Sequence, residues 1–365
     1  MKVVHVSWSL AFGGIETMLV NIANAQVKEG AEVSIIIIND IYDESLLKSL
    51  CDEVNVVFLH RKLHSYDLGF VFRFNRALHR INPDVIHLHI SRMNELIFSH
   101  RLRHRVVRTF HDLPSGQLRR KGIIYRIFPI LGASRDKGNV MFIDKIPKVF
   151  AISEAVKKAL CQNYGIVSTV ICNGIRTADF SIRTRSSCSL PLRIVQVSRL
   201  HHEKKGQDIL IRAIAQLKGE VEIFFIGEGP SIDYLTNLAI ELGVDSCVHF
   251  LGMQTQKEIA RSLCEYDLFV QPSRYEGFGL TVAEAMAAQL PVLVSSGQGP
   301  AEVTCGNKFG WIFENGNADD LVRMIMHIRM HYNEAFDKSL AARCHVINTY
   351  DVAVTANKYL MEYMK

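Results

Sequence analysis

Long apolar runs are absent from this sequence of 365 residues. Its apolar runs, such as Val33 to Ile38, have the length of a strand and fall far below the roughly 20 residues that a membrane-spanning helix requires. The first residues, Met1 to Val6, enter a strand pattern directly and lack the basic start, apolar stretch and small-residue cleavage site of a secretion signal. We therefore expect no membrane span and a cytoplasmic location.

Clustered cysteines and sequence repeats are absent as well. The 8 cysteines are scattered, without the C-x-x-C pair that suggests zinc or redox chemistry, and we expect reduced, mostly buried thiols. No low-complexity or repeat pattern interrupts the chain. Hydrophobic residues make up 48% and charged residues 22%, as in an ordinary soluble enzyme, and the length favours two domains.

The net charge of +5 is too small to argue for nucleic acid, and we expect no such partner. Positive charge is nevertheless concentrated in the first half, mixed with apolar side chains. The basic residues are Arg101, Arg103, Arg105, Arg108, Arg119, Arg120, Lys121 and Arg126, and the apolar ones are Ile123, Ile124, Tyr125, Ile127 and Phe128. The segment Phe70 to Arg76 has a similar composition. The mixture favours contact with an anionic membrane surface, and a solvated basic face explains it equally well.

Short β-rich runs alternate with helical patterns through the whole chain. In the first half the runs are Val3 to Ser7, Val33 to Ile38, Val54 to Leu59, Asp84 to His89, Val106 to Phe110 and Lys148 to Ile152. In the second half they are Leu192 to Val197, Val221 to Ile226, Cys247 to Leu251, Leu268 to Gln271, Pro291 to Val294 and Gly310 to Phe313. This alternation predicts an α/β protein with two Rossmann-like domains, each a parallel sheet covered by helices on both faces.

The polar segment 181–189 shows neither the periodicity of a helix nor that of a strand, so we predict that it is a linker or a surface loop between the domains. We accordingly assign residues 1–183 to the first domain and 190–348 to the second. Residues 349–365 form a predicted helix that could pack across the junction. The residues that recur on one face of this helix are Val352, Ala356, Tyr359 and Tyr363.

Ligands of open α/β sheets bind beyond the carboxyl ends of the strands, so the loops at those ends carry the information about function. The first strand leads to Gly13 and Gly14 and then to a helix, which would let the backbone approach a ligand near a helix start. The pair lacks the G-x-G-x-x-G spacing of a dinucleotide fingerprint, and a tight strand-to-helix turn is the simpler explanation of these two glycines alone.

The most informative loop belongs to the strand–loop–helix segment Ser273 to Ala288. Gly277 and Gly279 flank Phe278 and permit unusual backbone angles before a helix that begins near Leu280. Amides at such a helix start can donate hydrogen bonds to phosphate oxygens, so the loop suits a diphosphate.

Two carboxylates accompany this loop. Glu276 precedes the helix and Glu284 lies about one and a half turns inside it, so they could reach opposite ends of an extended ligand, one at a sugar and the other at a ribose. Alternatively, Glu276 complements the positive end of the helix dipole and Glu284 is a solvated helix residue. The small and apolar neighbours of Glu284 favour the functional interpretation.

With these segments the chain resembles the retaining GT-B glycosyltransferases of glycosyltransferase family four, over nearly its whole length. The segments that carry the resemblance, in order, are Gly13 to Glu16, Pro83 to His87, His111, Ser153-Glu154, Asn173 to Ile175, Ser198 to Leu200 with Lys205-Gly206, Gly227 to Pro230, and the two glutamates. The resemblance implies two doubly wound Rossmann-like domains that face each other across a cleft and bind a nucleoside-diphosphate sugar.

The resemblance also implies a role for each matching residue. Arg199 and Lys205 would bind the donor diphosphate, where two cations offset the charge that gathers on the leaving group. His111 would lie at the mouth of the first domain and hydrogen-bond the donor sugar, although a lone histidine is often structural. We expect His87 and His89 to make strand-end packing or polar contacts instead.

Glu276 matches the family glutamate that contacts the sugar hydroxyls, and Glu284 the one that binds the ribose. The resemblance implies a front-face reaction without a protein nucleophile, in which the acceptor oxygen attacks as the diphosphate leaves. The candidate catalytic residues are His111, Glu276, Arg199 and Lys205. The candidate donor-binding residues are Gly13, Gly14, Arg199, Lys205, Glu276, Gly277, Phe278, Gly279, Leu280 and Glu284.

We expect neither a metal nor a cofactor, because no D-x-D pair is present to hold a metal on the donor phosphates. The chain also departs from the family pattern G-G-x-P-E at Gly297 to Glu302, which weakens any role for Glu302. The expected reaction transfers a sugar from a UDP- or GDP-sugar to a glycan or lipid-linked acceptor in surface polysaccharide biosynthesis, at the inner membrane face.

Two other functions remain open on this fold. A nucleotide-sugar epimerase would bind a similar donor without a second substrate, and a non-catalytic partner subunit would keep the fold alone. The sequence gives less support to a nicotinamide dehydrogenase, because Gly227-Glu228-Gly229-Pro230 does not match the dinucleotide fingerprint.

Overall fold

The computed structural model describes residues 1–11, 13–62, 65, 67–90, 93–113, 146–217 and 219–365. They form two compact units, of which the first comprises Met1–Gly174 with Val352–Lys365 and the second Ile175–Asp351. Phe12 and the basic and apolar positions between 119 and 128 lie outside the described residues. Within the described part, no helix combines the length and the apolarity needed to cross a bilayer.

The first unit is built on a parallel sheet with the order β3-β2-β1-β4-β5-β6-β7 among the described residues. The strands are β1 Lys2–Ser7, β2 Glu32–Asn39, β3 Asn55–Arg61, β4 Val85–Leu88, β5 Val106–Phe110, β6 Lys148–Ala151 and β7 Thr169–Val170. The central strands are buried on both faces, which explains their nearly continuous apolar sequence. The predicted strands of this half are confirmed, and β7 was missed because two residues carry no periodicity.

Helices connect and cover these strands. They are α1 Gly14–Lys28, α2 Glu44–Lys48, α3 Gly69–Ile81, α4 His100–Arg103, α5 Glu154–Tyr164 and, at the end of the chain, α14 Val352–Tyr363. Local signals set their limits. In α5, for example, the Ser153 side chain accepts a hydrogen bond from the amide of Val156, and Gly165, with φ +68°, is the C-cap that follows the last helical residue.

The last helix, α14, belongs to the first unit although it follows the second in sequence. Ala356 and Tyr359 are buried, as their spacing predicts, and the Tyr359 ring lies edge-on to Phe150 with centroids 5.3 Å apart. The Tyr359 hydroxyl shares a hydrogen bond of 3.0 Å with Thr109. The last helix therefore completes the core of the first unit.

The second unit contains a parallel sheet with the order β10-β9-β8-β11-β12-β13. Its strands are β8 Leu192–Val197, β9 Val221–Ile226, β10 Val248–Phe250, β11 Leu268–Gln271, β12 Val292–Ser295 and β13 Trp311–Phe313. Its helices are α6 His202–Lys205, α7 Gln207–Ile214, α8 Ile232–Glu241, α9 Gln256–Ser262, α10 Leu280–Ala287, α11 Gly299–Val303, α12 Ala318–Met330 and α13 Tyr332–Tyr350. The predicted strands of this half are confirmed too, and the first and fourth, β8 and β11, lie side by side at the centre.

The segment 181–189 lies inside the second unit rather than between the units, which divide at Gly174/Ile175 and at Asp351/Val352. Arg183 is only 1% exposed, and its Nη2 lies 2.8 Å from Oδ1 of the fully buried Asp267. Asp267 also accepts hydrogen bonds from the amides of Ser189 and Arg193, at 3.1 and 2.9 Å. Most of the segment is exposed, as the alternative of a surface loop predicts, and Arg183 is its one buried residue.

The cysteines differ from the sequence expectation. All eight carry free thiols, and Cys161, Cys305 and Cys344 are exposed while the other five are half-buried. Their positions on outward parts of helices and loops explain why the expectation of buried thiols is wrong.

We expect Asp267→Ala to lower the free energy of unfolding by about 3–5 kcal/mol, because it leaves the Arg183 guanidinium buried without its charge partner. Equilibrium urea denaturation of the full chain, followed by circular dichroism, measures the loss. Glu44→Ala serves as the control, since it breaks an exposed pair with Lys48 and should leave the midpoint almost unchanged. A loss under about 1 kcal/mol for Asp267→Ala would contradict the importance of the pair.

Candidate functional site

Two loops at the centre of the second sheet carry the residues that the sequence singled out. The strand order reverses between β8 and β11, and ligands of open α/β sheets bind beyond the carboxyl ends of strands at such a point. Arg199 and Lys205 follow β8, whereas Glu276 and Glu284 follow β11. The topology therefore places the carboxyl ends that lead to these residues side by side.

The two loops are bound tightly to each other. Arg274, in the loop after β11, makes a two-pronged ion pair with Asp208 of α7, with N–O distances of 2.7 and 2.8 Å. Its backbone amide donates to the carbonyl of Lys204 at 2.9 Å. Gly206 has φ +69°, and a Cβ atom there would lie 1.9 Å from the carbonyl oxygen of Pro272. The close approach therefore requires glycine at position 206.

Lys205 and Glu276 meet at this junction, where the Lys205 ammonium donates to Oε2 of Glu276. Each of the two side chains is 19% exposed, so the ion pair is partly shielded from solvent and still accessible to a ligand. Gln196 fixes the backbone of Lys205 through a 3.0 Å hydrogen bond to its carbonyl oxygen. An ammonium has three N–H groups, so it can hold Glu276 and an anionic ligand at the same time.

Arg199 lies on the turn that follows β8, with an exposed side chain. The turn itself is fixed, because Gln207 donates to the Arg199 carbonyl at 3.1 Å and a Cβ atom on Gly227 would lie 2.1 Å from the carbonyl oxygen of Ser198. The Arg199 guanidinium makes no ion pair within the described ranges. A rigid turn therefore presents a cation that can pair with an anion.

Gln298 holds the glycine-bearing loop after β11, and sequence reasoning missed it. Its side-chain oxygen accepts from the Glu276 amide, and its side-chain amide donates to the carbonyl of Arg274. A Cβ atom on Gly299 would lie 2.5 Å from the carbonyl group of Gly277, so these backbones also touch. Gln298, which lies where the chain departs from the family pattern, thus holds the backbone of Glu276 in place. Its position as a polar residue between two glycines was the signal in the sequence that could have identified it.

The loop ends at Gly279, which has φ +102° and precedes α10. The amides of Leu280 and Thr281 precede the first backbone bond of the helix, from Val282 to Gly279 at 3.1 Å, so neither has an intrahelical acceptor. Phe278 is 3% exposed and packs edge-on to Tyr350, so its ring is part of the core and its backbone is what remains for a ligand.

Glu284 is buried on α10, with 7% exposure, and the alternative of a solvated helix residue is wrong. Its Oε1 accepts a 2.8 Å hydrogen bond from Gln256 of α9, a second residue that sequence reasoning missed. Burial raises the pKa of Glu284 to about 7, although the hydrogen bond from Gln256 opposes this shift. A carboxyl group near half-protonation at neutral pH is typical of a site that a ligand completes.

Two of the predicted features lie in the first unit. Gly13 is the N-cap of α1 and Gly14 its first residue, and a Cβ atom on Gly13 would lie 2.5 Å from the Glu16 carboxylate. His111 follows β5, and burial lowers its pKa to about 4, so the ring is neutral at pH 7. Its Nε2 lies 2.9 Å from Nδ1 of His89.

His87 and His89 make the packing and polar contacts that we predicted. Both are buried, and the nitrogens of His87 contact the hydroxyls of Tyr363 and Thr109 at 2.6 and 2.7 Å. Among the candidate residues, the structure therefore brings Lys205 and Glu276 into contact, exposes Arg199 on the neighbouring turn, and gives Glu284 a separate partner in Gln256.

Two family models match the chain side by side. Residues 12–179 match the model described as Glycosyltransferase Family 4, and residues 189–333 match the model described as Glycosyl transferases group 1. The two matches together span well over half of the 365 residues.

Two relatives illustrate the similarity. The amylovoran biosynthesis glycosyltransferase AmsK of Erwinia amylovora is 34% identical over 182 residues, which cover 47% of this chain and 44% of that protein. An uncharacterized glycosyltransferase of Methanocaldococcus jannaschii is 26% identical over 336 residues, which cover 83% of this chain and 82% of that protein. The chain thus matches less than half of the length of the Erwinia protein and most of the archaeal one.

The structural comparison confirms the expected fold class. HepE of Anabaena, solved in complex with UDP-glucose, aligns over 100% of this chain and 99% of its own, with a TM-score of 0.78 and 22% identity. Identity at this level shows the fold, which is the GT-B class with two Rossmann-like parallel-sheet units. With both family models matched in order, the chain belongs to the GT-B glycosyltransferases whose two domains are the family 4 and group 1 types.

Proposed function

We propose that this protein is a retaining glycosyltransferase that moves a sugar from a UDP- or GDP-sugar to a glycan or lipid-linked acceptor in surface polysaccharide biosynthesis. Family membership supports sugar transfer, the UDP-glucose complex of HepE supports a nucleotide-sugar donor, and the amylovoran relative supports a polysaccharide context. The observation that carries the proposal is the partly exposed ion pair between Lys205 and Glu276 at the point where the strand order reverses.

The pair suits a donor whose diphosphate lies next to a sugar. Lys205 and Arg199 would bind the phosphate oxygens, together with the amides at the start of α10. Glu276, beside Lys205, would accept hydrogen bonds from sugar hydroxyls, and Glu284 from the hydroxyls of the ribose. The contact between Lys205 and Glu276 would therefore lie where the charged diphosphate of the donor joins its neutral sugar.

In the proposed reaction the bond from the anomeric carbon to the diphosphate oxygen breaks, and a bond from the same carbon to the acceptor oxygen forms on the same face. The acceptor proton passes to an oxygen of the departing diphosphate, so no protein nucleophile is needed. The residues then act by stabilising the charge that develops on the leaving group, which is the role of Arg199 and Lys205. His111 would orient the sugar through a hydrogen bond to a hydroxyl.

A screen of UDP-, GDP- and ADP-sugars tests the donor assignment. We expect one base class to raise the melting temperature and to be consumed only when an acceptor is present. Lys205→Met should weaken binding of that donor roughly 10- to 100-fold, because it removes a charge-assisted hydrogen bond to phosphate. The measurement is isothermal titration calorimetry.

Lys48→Met is the matched control, since Lys48 lies on the surface of the first unit in an exposed pair with Glu44 and should bind donor as the wild type does. Stabilisation by none of the three donors would defeat the proposal. Donor conversion without an acceptor would instead indicate an epimerase, and binding without any turnover a non-catalytic partner.

Donor binding should depend on pH through Glu284. Its pKa of about 7 means that the carboxyl is mostly protonated below pH 7 and mostly ionised above it, and the ionised form accepts stronger hydrogen bonds from the ribose hydroxyls. We therefore expect the Kd for the nucleoside diphosphate to rise by up to about tenfold between pH 8 and pH 6, the ratio for a group with a pKa of about 7 that binds in its ionised form.

Glu284→Gln supplies the control for this pH dependence, because its amide does not titrate and the nucleotide's own phosphate titration remains. Titration calorimetry at both pH values should show a flatter profile for the variant than for the wild type. Equal slopes would exclude Glu284 from the nucleotide site.

We also propose that the first unit contacts an anionic membrane surface. Phe72 and Phe98 are 69% and 56% exposed, and their rings meet edge-on at 5.6 Å. Arg76 and Arg101 are exposed on the same two segments of chain. Exposed aromatic rings among arginines favour the zone between lipid head groups and acyl chains.

Co-sedimentation with phosphatidylglycerol vesicles tests this contact. Phe72→Ser combined with Phe98→Ser should reduce binding by about tenfold or more, because the rings would no longer enter the interface. Met253→Ser removes an exposed apolar residue of the second unit, 57% exposed against 56% for Phe98, and should have no effect. Equal binding of the wild type to neutral phosphatidylcholine vesicles would contradict the electrostatic part of the proposal.

A further inference from the structure

A row of hydrogen-bonded side chains runs through the interior of the first unit and ends at His111. Nε2 of His5 lies 2.8 Å from Oε1 of Gln26, and Nδ1 of His5 lies 2.9 Å from Nε2 of His89. Nδ1 of His89 in turn lies 2.9 Å from Nε2 of His111. Three imidazole rings are thus connected in series to one amide group.

The fold creates this row from four separate elements. Gln26 lies on α1, His5 in the middle of β1, His89 just beyond β4, and His111 just beyond β5. The strands β1, β4 and β5 are neighbours in the sheet, so residues near their carboxyl ends come together. Gln26 and His5 are completely buried and His89 is 7% exposed, so each must find its hydrogen-bond partner inside the protein.

The protonation state of the three imidazole rings indicates that every hydrogen bond in the row has a defined donor and a defined acceptor. Burial lowers the pKa of His5 and His111 to about 4 and that of His89 well below its ordinary range, so all three are neutral at pH 7. A neutral imidazole has one N–H donor and one acceptor nitrogen. Each contact in the row therefore needs a donor on one ring and an acceptor on the other.

The amide of Gln26 decides which way the row points. Its oxygen can only accept, so Nε2 of His5 carries the hydrogen and Nδ1 of His5 is an acceptor. His89 must then donate from Nε2 and accept at Nδ1, and His111 must donate from Nε2. This leaves a lone pair on Nδ1 of His111, which is buried and has no hydrogen-bond partner within the described part of the chain.

We propose that Gln26, His5 and His89 are positioning residues that hold His111 in the Nε2–H tautomer, so that its Nδ1 accepts a hydrogen bond from a hydroxyl group of the donor sugar. The identity of the hydroxyl as part of the donor rests on the proposed function, whereas the tautomer does not. A fixed acceptor orients a hydroxyl more strictly than a ring that can exchange its two tautomers, because the second tautomer would present a donor instead.

A metal site is the competing explanation, because His5, His87 and His89 offer nitrogens within 4.8 Å of one another. Two nitrogens on one tetrahedral zinc ion, with Zn–N bonds of about 2.0–2.1 Å, lie roughly 3.3 Å apart. The contact of 2.9 Å between His5 and His89 is shorter than that and is the length of a hydrogen bond. Both nitrogens of His87 are also engaged, by Tyr363 and Thr109.

Nitrogen-15 NMR of the histidine-labelled full chain at pH 7.5 tests the tautomers directly. We expect His5, His89 and His111 each to show a protonated Nε2 and an unprotonated Nδ1, and single-histidine replacements assign the signals. A protonated Nδ1 on any of the three, or rapid exchange of tautomers at His111, would overturn the proposal. Added Zn²⁺ should leave the signals in place, and their displacement by stoichiometric zinc would establish the metal site instead.

Two variants separate positioning from general support of the core. Gln26→Met keeps the volume and removes the acceptor that starts the row, so His111 should become a mixture of tautomers. We expect kcat to fall about fivefold, the ratio that one net hydrogen bond supplies, with little change in the KM for the donor. Thr109→Val removes a buried hydroxyl that contacts His87 outside the row, and it should leave the His111 tautomer unchanged.

The His111 tautomer and the transferase activity test the row and the proposed function separately. A fixed Nε2–H tautomer that Gln26→Met abolishes, in a protein without transferase activity, would support the row and refute the proposed function. Transferase activity together with a His111 tautomer that Gln26→Met does not change would refute the row and leave the proposed function standing.

Discussion

The contact between Lys205 and Glu276 is the interaction on which the second unit's site depends. It joins a loop that leaves β8 to a loop that leaves β11, across a sequence separation of 71 residues. Opposite charges can meet there because the backbones around them approach to a distance that excludes any side chain at Gly206. The Arg274–Asp208 pair holds the same two loops a few residues away. The charges are thereby arranged before a ligand binds, which reduces the entropy that binding would otherwise cost.

Both units solve a common physical problem, the burial of polar groups, by pairing them. Arg183 and Asp267 neutralise each other in the interior of the second unit, and the row from Gln26 to His111 passes each hydrogen bond to the next ring in the first. Glu284 is less completely satisfied, because one hydrogen bond from Gln256 does not offset the loss of water, and its pKa rises to about 7. A buried carboxyl that is incompletely satisfied is what a hydroxyl-bearing ligand could complete.

The strands were predictable because parallel strands that are buried on both faces leave continuous apolar runs in the sequence. The runs Val106 to Phe110 and Leu268 to Gln271 have the same limits in the structure. The supports of the site were less visible. Gln26, Gln256 and Gln298 are neutral, belong to no periodic pattern and matter only through the atoms that they contact. The burial of Arg183 in the segment 181–189 was not predictable for the same reason, since polarity suggests exposure unless the partner of the charge is known.

Sequence by itself determined the α/β alternation, the two parallel sheets, and the loops at which glycines and charged residues gather, because these depend on local periodicity and on the conformations that glycine allows. Tertiary structure alone decided that Lys205 touches Glu276, that Arg183 is buried, that α14 completes the first core, and that His111 ends a row of hydrogen bonds. Each of these depends on contacts between residues distant in sequence. A pair of side chains leaves no periodic signal, and its energy is defined only when the fold sets their distance and removes the water between them.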